Sequence, residues 1–395
     1  MTTADLAVFG PEFTADPYPT YARLRQDGPV HRLRGEDGTH FWLVVGYEEA
    51  RRALADPALS KSPATVGVVR FDQEVIGSTL LSVDPPDHTR LRRLVAREFT
   101  ARRAQRLAPR VQEITDGLLD AMVPRGRADL VEHLAFPLPI IVICELLGVP
   151  ATDRDAFRAW SDEIVAPTSA EAGEAAVLGI GAYLDGLIAD KRRSGPSDDL
   201  LSALIGTASD AEPGEERLTG TELRSLAYLL LIAGHETTVN LIAGGVRALL
   251  AHPDQLALLR SDPGLLDGAV EEMLRYDGPV ENATLRFTTE PVTYGGTTVP
   301  AGETVLVCLA GGDRDPARFP EPDRFDIRRD ARGHLAFGHG IHFCLGAPLA
   351  RLEARTALAS LLTRCPGLAA DPDAGPEEWL PGLLIRGTRR LPVRW

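Results

Sequence analysis

The sequence predicts a mainly α-helical protein with a minor β part, read as one domain over residues 1–395. Three observations carry that expectation. Apolar residues recur at helical spacing along most of the chain. Period-two alternation bounded by turn residues is confined to two short stretches. One segment, 219–251, is apolar enough for a helix of about 32 residues, roughly 50 Å at the α-helical rise.

Taken in chain order, VHRLRGEDGTHFWLVVG (30–46) reads as two strands around a Gly/Asp turn. Helical periodicity follows over 88–121, 127–148 and 172–193, punctuated by Pro150, Pro167 and Pro196. The polar stretch 206–217, GTASDAEPGEER, is expected as a surface loop. The long segment opens with Thr219 and Glu222, a capping box, and stops before Pro253. Further helices are expected over 253–260 and 264–276. VTYGGTTVPAGETVLVCLA (292–310) reads as short strands with GG and PAG as turns, and 346–364 as a last helix.

Composition narrows the function. Hydrophobic residues make up 44% of the chain and charged residues 25%, enough for a sizeable core. The formal net charge of −14 argues against nonspecific nucleic-acid binding. The N-terminus has no basic region followed by an apolar run, so neither a signal peptide nor a membrane anchor is expected. The cysteines at 144, 308, 344 and 365 form no CxxC pair and suggest no disulfide framework, consistent with a cytoplasmic protein.

Two places carry chemistry. The middle of segment 219–251 is apolar on almost every face, yet it holds His235, Glu236, Thr237, Thr238 and Asn240. Buried polar groups are costly unless satisfied. Thr237 can bond back to the carbonyl of residue 233 and bend the helix, leaving a hydroxylated, acidic spot able to hold water and relay protons. The second place is FGHGIHFCLG (337–346), where one thiol, Cys344, sits among glycines beside His339 and His342. Cys344 is readable as a buried bystander, as a zinc ligand with His334, His339 and His342, or as a lone axial thiolate. Four zinc ligands within eleven residues would strain a tetrahedral site. Gly338, Gly340 and Gly346 permit close backbone approach. Amides of a helix beginning near Ala347 favour a thiolate.

FGHGIHFCLG resembles the haem-ligand signature of the cytochrome P450 family, with Phe337, Gly340, Cys344 and Gly346 at its fixed positions. AGHETT (233–238) resembles the family's oxygen-activation motif, EMLR (272–275) its ExxR motif and PDRF (322–325) its later arginine segment. The resemblance runs from about residue 15 to the C-terminus. It implies the family's triangular-prism fold around a long central helix, with haem b held through Cys344. It implies monooxygenation of a lipophilic substrate with O2, with Thr237 and Glu236 as the proton-delivering alcohol and acid. His88, Arg92, Arg286 and His342 match the family's propionate partners, and Phe337 and Ala233 border the haem. Glu272, Arg275 and Arg324 resemble its structural triad.

Substrate contacts are expected from segments 61–82, 160–182, 279–285 and 380–386. Leu81, Val280, Asn282 and Leu383 are the named candidates, with Ala233, Leu229 and Ile232 from the long helix and Glu281 as a second polar handle. Eight arginines and one acid, Glu98, lie between Arg90 and Arg110. Such a patch would steer an acidic electron carrier. No flavin or iron–sulfur segment is recognised, so electrons from NAD(P)H are expected through a ferredoxin and its reductase. A monomer without membrane anchor or nucleic-acid partner is expected. The resemblance points to actinomycete enzymes that tailor macrolides and other secondary metabolites. Two rivals are a peroxide-driven peroxygenase of the same fold and a non-catalytic haem-binding protein.

Overall fold

The computed structural model describes every residue except 1–3, 6–9, 36–37, 69, 98, 166, 196 and 210–217. The strands are Ala4–Asp5 (β1), Val30–Arg34 (β2), His40–Val44 (β3), Leu59–Ser60 (β4), Arg127–Asp129 (β5), Arg286–Thr288 (β6), Val292–Tyr294 (β7), Thr297–Val299 (β8), Thr304–Val307 (β9), Ala369–Ala370 (β10) and Pro392–Arg394 (β11). The helices before the long one are Pro11–Ala15 (α1), Tyr18–Asp27 (α2), Tyr47–Ala55 (α3), Phe71–Ile76 (α4), Asp87–Ala96 (α5), Ala101–Arg106 (α6), Ala108–Met122 (α7), Pro137–Leu147 (α8), Arg154–Val165 (α9), Ala170–Ser194 (α10) and Leu200–Ser209 (α11). Then come Gly220–Ala251 (α12), Pro253–Ser261 (α13), Leu266–Asp277 (α14), Leu309–Asp313 (α15) and Ala347–Arg364 (α16). The chain is mainly helical with small sheets, as expected.

Among the described residues, β1-β2-β3-β9-β6-β4 form the main sheet. β2 and β3 pair antiparallel with Val30 opposite Val44, the expected hairpin. β7 and β8 form a second hairpin whose loop is Gly295–Gly296. Both glycines have positive φ (55° and 81°), which a two-residue turn of this hand requires. A side chain at Gly295 would also collide with Pro29, 2.2 Å from its Cβ position.

α12 is 32 residues long, and its capping box is formed as expected: Thr219 accepts from Glu222 N–H while Glu222 reaches back to Thr219 N–H. The helix packs against α8, α10, α14 and α16. Leu226, Leu231, Ile242, Val246 and Leu249 are at most 1% exposed. Each contributes about 1.5–3 kcal/mol by burial. α10 and α12 are both long and apolar enough, by length and composition, to cross a membrane. The most apolar window of α12 is 67% buried inside the fold.

Three expectations need correction. Segment 88–121 is three helices, α5, α6 and α7, because Thr100 caps α6 and Pro109 opens α7. Segment 127–148 begins as strand β5, paired with β11, and passes through a π turn at Val131–Ala135 before α8. Pro137 and Pro139 sit at the start of α8, where a missing N–H costs nothing. The loop expected at 206–217 begins later, since α11 runs to Ser209; its remainder, 210–217, lies outside the described residues.

Candidate active site

Cys344 stands at the end of a tight loop that leads into α16. Its N–H donates to the carbonyl of Phe337 at 2.9 Å, closing the loop. Gly340 has φ 75°, and a Cβ there would lie 3.0 Å from Leu54 O and 3.1 Å from Ala55 Cα. Glycine is therefore required twice over, for conformation and for approach to α3. Phe337 lies under the Arg351 guanidinium, 4.5 Å from the ring centre, and near Phe343.

Cys344 keeps exposed surface although protein crowds it on most sides, the position of a group on a cleft wall. Burial pushes its thiol upward, while the amides of Gly346 and Ala347 and the charges of Arg92 and Arg351 pull the other way. Burial wins, which corrects the expectation that the helix start alone favours thiolate. A thiolate there would need a bound cation, since a coordinating thiol is deprotonated outright. The zinc alternative fails on geometry. His334 Nδ1 accepts from Ala336 N–H and its Nε2 faces Glu271, while the His342 ring lies against His88. Among the described residues no three His, Cys, Asp or Glu side chains gather as a metal site.

Beside this loop lies a cluster of basic side chains with Asp84 as a nearby acid. His88 and Arg92 come from α5, Arg286 from β6 and His342 from the cysteine loop. The His88 and His342 rings are 4.2 Å apart. His88 Nε2, His342 Nδ1 and Arg286 Nε are buried without any hydrogen-bond partner. Arg92 donates to Phe343 O at 2.6 Å, leaving other guanidinium N–H groups to spare. Burial lowers the pKa of each. His88 falls further beside Arg92. His342 falls to about 2 with help from His88, Arg286, Lys61 and Arg92. Arg286 falls to about 10. Asp84 opposes the shifts at His88 and Arg286 without reversing them. Orphaned donors cost about 1–3 kcal/mol each. The residues present fit a buried ligand with two carboxylates, and haem b carries two propionates.

Lys61 belongs to the same neighbourhood and escaped the sequence reading as a site residue. It is 3% exposed, and its Nζ donates to Thr284 O, Thr284 Oγ1 and Leu285 O at 2.6–2.9 Å. Its donors are therefore spent on tying segment 61–82 to the strand that carries Arg286. Nothing local in the sequence signals this.

On α12, Leu229, Ala233 and Thr237 recur every four residues and are less buried than their neighbours; Ala233 is exposed in mid-helix. This stripe faces an open space. Thr237 Oγ1 donates to Ala233 O at 3.1 Å, as its spacing predicted. Glu236, 8% exposed, turns to another wall. Its Oε1 accepts from Ser161 Oγ of α9 at 3.1 Å and lies 3.1 Å from His235 Nε2. Burial alone would raise the Glu236 carboxyl; His235, Ser161 and Arg158 more than reverse it. The structure thus separates the alcohol and the acid by direction and adds His235 and Ser161 to them.

Of the substrate candidates, Leu81 and Val280 are half-buried and Ala233 is exposed. Asn282 and Leu383 need correction. Asn282 is 1% exposed; its amide donates to Leu383 O at 2.6 Å and reaches Tyr21 Oη. Leu383 packs with Phe13, Tyr21 and Leu24. Its N–H groups thus find acceptors in this cluster, while Oδ1 is buried without a partner. Glu281 likewise accepts from Tyr21 Oη at 2.5 Å.

The ExxR pair is closed. Arg275 donates to both Glu272 oxygens (2.7 and 2.8 Å), and both side chains are fully buried. The expected third member changes: Arg324 is 53% exposed and offers only its carbonyl, whereas Arg329 reaches Glu272 at 3.3 Å.

The family model described as Cytochrome P450 matches residues 260–377. The chain is 59% identical to cytochrome P450 monooxygenase PikC of Streptomyces venezuelae, over 99% of this chain and 94% of that protein. It is 47% identical to 6-deoxyerythronolide B hydroxylase of Saccharopolyspora erythraea, covering 97% and 96%. The tirandamycin C-bound monooxygenase TamI superposes with a TM-score of 0.90 at 43% identity, covering 99% of each chain.

Proposed function

The chain belongs to the cytochrome P450 family, and from that premise we propose how its own residues serve a haem-thiolate monooxygenase acting on a bulky secondary metabolite. The family's haem, when bound, activates O2 with electrons passed from NAD(P)H by external redox partners, and one oxygen atom enters the substrate. Cys344 would hold the iron, inside a loop fixed by Gly340 and shielded by Phe337. His88, Arg92, Arg286 and His342 would take the propionates. The observation that carries this assignment is the set of three buried, partnerless nitrogens beside the one accessible cysteine. Thr237 would position water and proton on the open face of α12, with Glu236 as the acid behind it. Leu81, Val280, Ala233, Leu229 and Ile232 would form the apolar wall that orients substrate. A polyketide or macrolide scaffold is the proposed substrate class, supported by the names of relatives such as 6-deoxyerythronolide B hydroxylase.

A ferredoxin is the proposed electron donor. Arg93, Arg97, Arg102, Arg103 and Arg106 are exposed along α5 and α6. An acidic carrier would be steered to that face. A monomeric, cytoplasmic enzyme working as one domain completes the reading.

The test is the absorption spectrum of the reduced protein with carbon monoxide. A strongly red-shifted Soret band is expected and should vanish in Cys344→Ala even where haem is retained. A histidine-type band in the unaltered protein would overturn the thiolate assignment. Thr237→Ala should keep the band while diverting electrons to peroxide, and an unchanged ratio of product to peroxide there would remove Thr237 from proton delivery.

A further inference from the structure

The polar contacts around His235 fix where one proton must be. His235 Nδ1 lies 2.6 Å from Leu231 O. A carbonyl only accepts, so Nδ1 carries a hydrogen. The other ring nitrogen, Nε2, lies 3.1 Å from Glu236 Oε1 and 2.8 Å from Ser161 Oγ. With a neutral ring and an ionised carboxylate, that short contact would set two lone pairs against each other in a site where His235 is 1% exposed. A proton between them removes the conflict. Ser161 cannot resolve it alone, because its single hydroxyl hydrogen serves Glu236 or His235 but not both.

We propose that His235 and Glu236 together hold one proton at rest, and that Ser161 reloads the pair from the solvent side of α9. This rests on the reading of Glu236 as the acid of the proton relay and extends it by two residues, His235 and Ser161, toward solvent. The shared proton passes from the imidazolium Nε2 to Oε1 and leaves from Oε1 toward the pocket, so that a neutral ring faces an ionised carboxylate. The neutral ring then takes the Ser161 hydroxyl hydrogen at Nε2, and Ser161 takes one from water. One proton enters from solvent for each that leaves, and no electrons move.

The surroundings suit this role. Ser161 is 1% exposed, yet Asp162, next along α9, is exposed to solvent. Desolvation and the charge of Glu236 push the Asp162 carboxyl upward, against Arg158, His235 and Arg389. Those are the charged groups that face the pair, from α9 and from the C-terminal segment. On the far side the His235 ring meets the Phe136 edge, at 5.8 Å between centroids, with Arg158 over Phe136 at 4.5 Å. The pair thus has an aromatic ring on one side and α9 on another.

The test is nitrogen NMR of histidine-labelled holoenzyme in the diamagnetic reduced, carbon monoxide-bound form near neutral pH, with difference infrared spectra of the carboxyl region. The expected result is a His235 ring bearing hydrogen on both nitrogens, reverting to the Nδ1–H neutral form in Glu236→Gln. A neutral ring accompanied by a protonated-carboxyl band that Glu236→Gln abolishes places the same proton on the other partner and also supports the proposal. A neutral ring with an ionised Glu236 overturns it. Turnover then separates this inference from the relay it rests on. Peroxide released per NAD(P)H should rise several-fold in both His235→Gln and Glu236→Gln. Ser161→Ala should leave the NMR signature intact while enlarging the solvent isotope effect. A rise in Glu236→Gln without one in His235→Gln sinks the inference and leaves the relay standing. No rise in Glu236→Gln or Thr237→Ala sinks the relay itself, whatever the NMR shows.

Discussion

The Glu272–Arg275 cluster and the His88–Arg286–His342 ring are both buried charge clusters, built from neighbouring parts of the same chain, and they end in opposite states. In the first, Arg275 spends its donors on Glu272, Asp313 O, Pro322 O and Arg324 O, while Glu272 also accepts from Asp326 N–H and Arg329. In the second, three buried nitrogens have no hydrogen-bond partner. A closed cluster is self-sufficient and serves the fold. A cluster that folding leaves open is shaped for something that arrives later. Satisfaction, more than burial or charge, separates scaffold from site here.

The strongest way to break that contrast is Arg275→Met. It leaves Glu272 as a buried carboxylate with Arg329 as its only side-chain cation, and a loss of about 3–5 kcal/mol is expected, read from urea unfolding. A loss below 1 kcal/mol would mean the cluster is not the closed support it looks. The next largest effect concerns the open ring. Arg286→Met removes an orphaned donor, so the haem-free chain should be as stable as before or more so. Haem transfer to an acceptor globin should accelerate by roughly 10–100-fold, since a hydrogen bond to a charged group contributes about 1.5–3 kcal/mol. Equal destabilisation of the haem-free chain would place Arg286 with the scaffold.

The same contrast explains what the sequence disclosed. Cys344, Gly340, the capping box at Thr219 and the hairpins at 30–46 and 292–299 were legible because each is a local device whose residues lie within a few positions of one another. His88, Arg286 and His342 were legible through family motifs, but their lack of partners was not. Arg329 was missed for Arg324 because Glu272 meets both neighbourhoods and only backbone path decides which side chain turns inward. The triple break in 88–121 and the strand at 127–129 depend on tertiary partners that periodicity does not see. Ser161 and Lys61 were invisible because their roles exist only across 75 and 223 positions of chain. Asn282 was misassigned because a polar residue near a pocket is as readily a stitch as a contact.

A finer version of the contrast lies within one turn and a half of chain. Asp277 is held by Arg386, Arg247 and Tyr18, and although burial works against it, its carboxyl falls to about 2. Glu281 is as deeply buried and has one close donor, Tyr21 Oη; burial pushes it up to about 7. The two should act on stability with opposite signs. Asp277 binds its proton less readily folded than unfolded, so its contribution is present above about pH 4 and is lost as pH falls toward 2. Glu281 binds its proton more readily folded, so its contribution is full below about pH 4.5 and is lost as pH rises through 7. Between about pH 6 and pH 8 that loss amounts to about 1 kcal/mol. Glu281→Gln keeps an acceptor for Tyr21 and cannot ionise. Urea midpoints of this variant should therefore decline less steeply across that interval than those of the parent, the buried Asp313 carboxyl, also pushed up to about 7, keeping part of the decline in both. A parallel decline in both proteins would mean that Glu281 is already paired as well as Asp277 is, and that one tyrosine hydroxyl suffices to close a buried carboxylate.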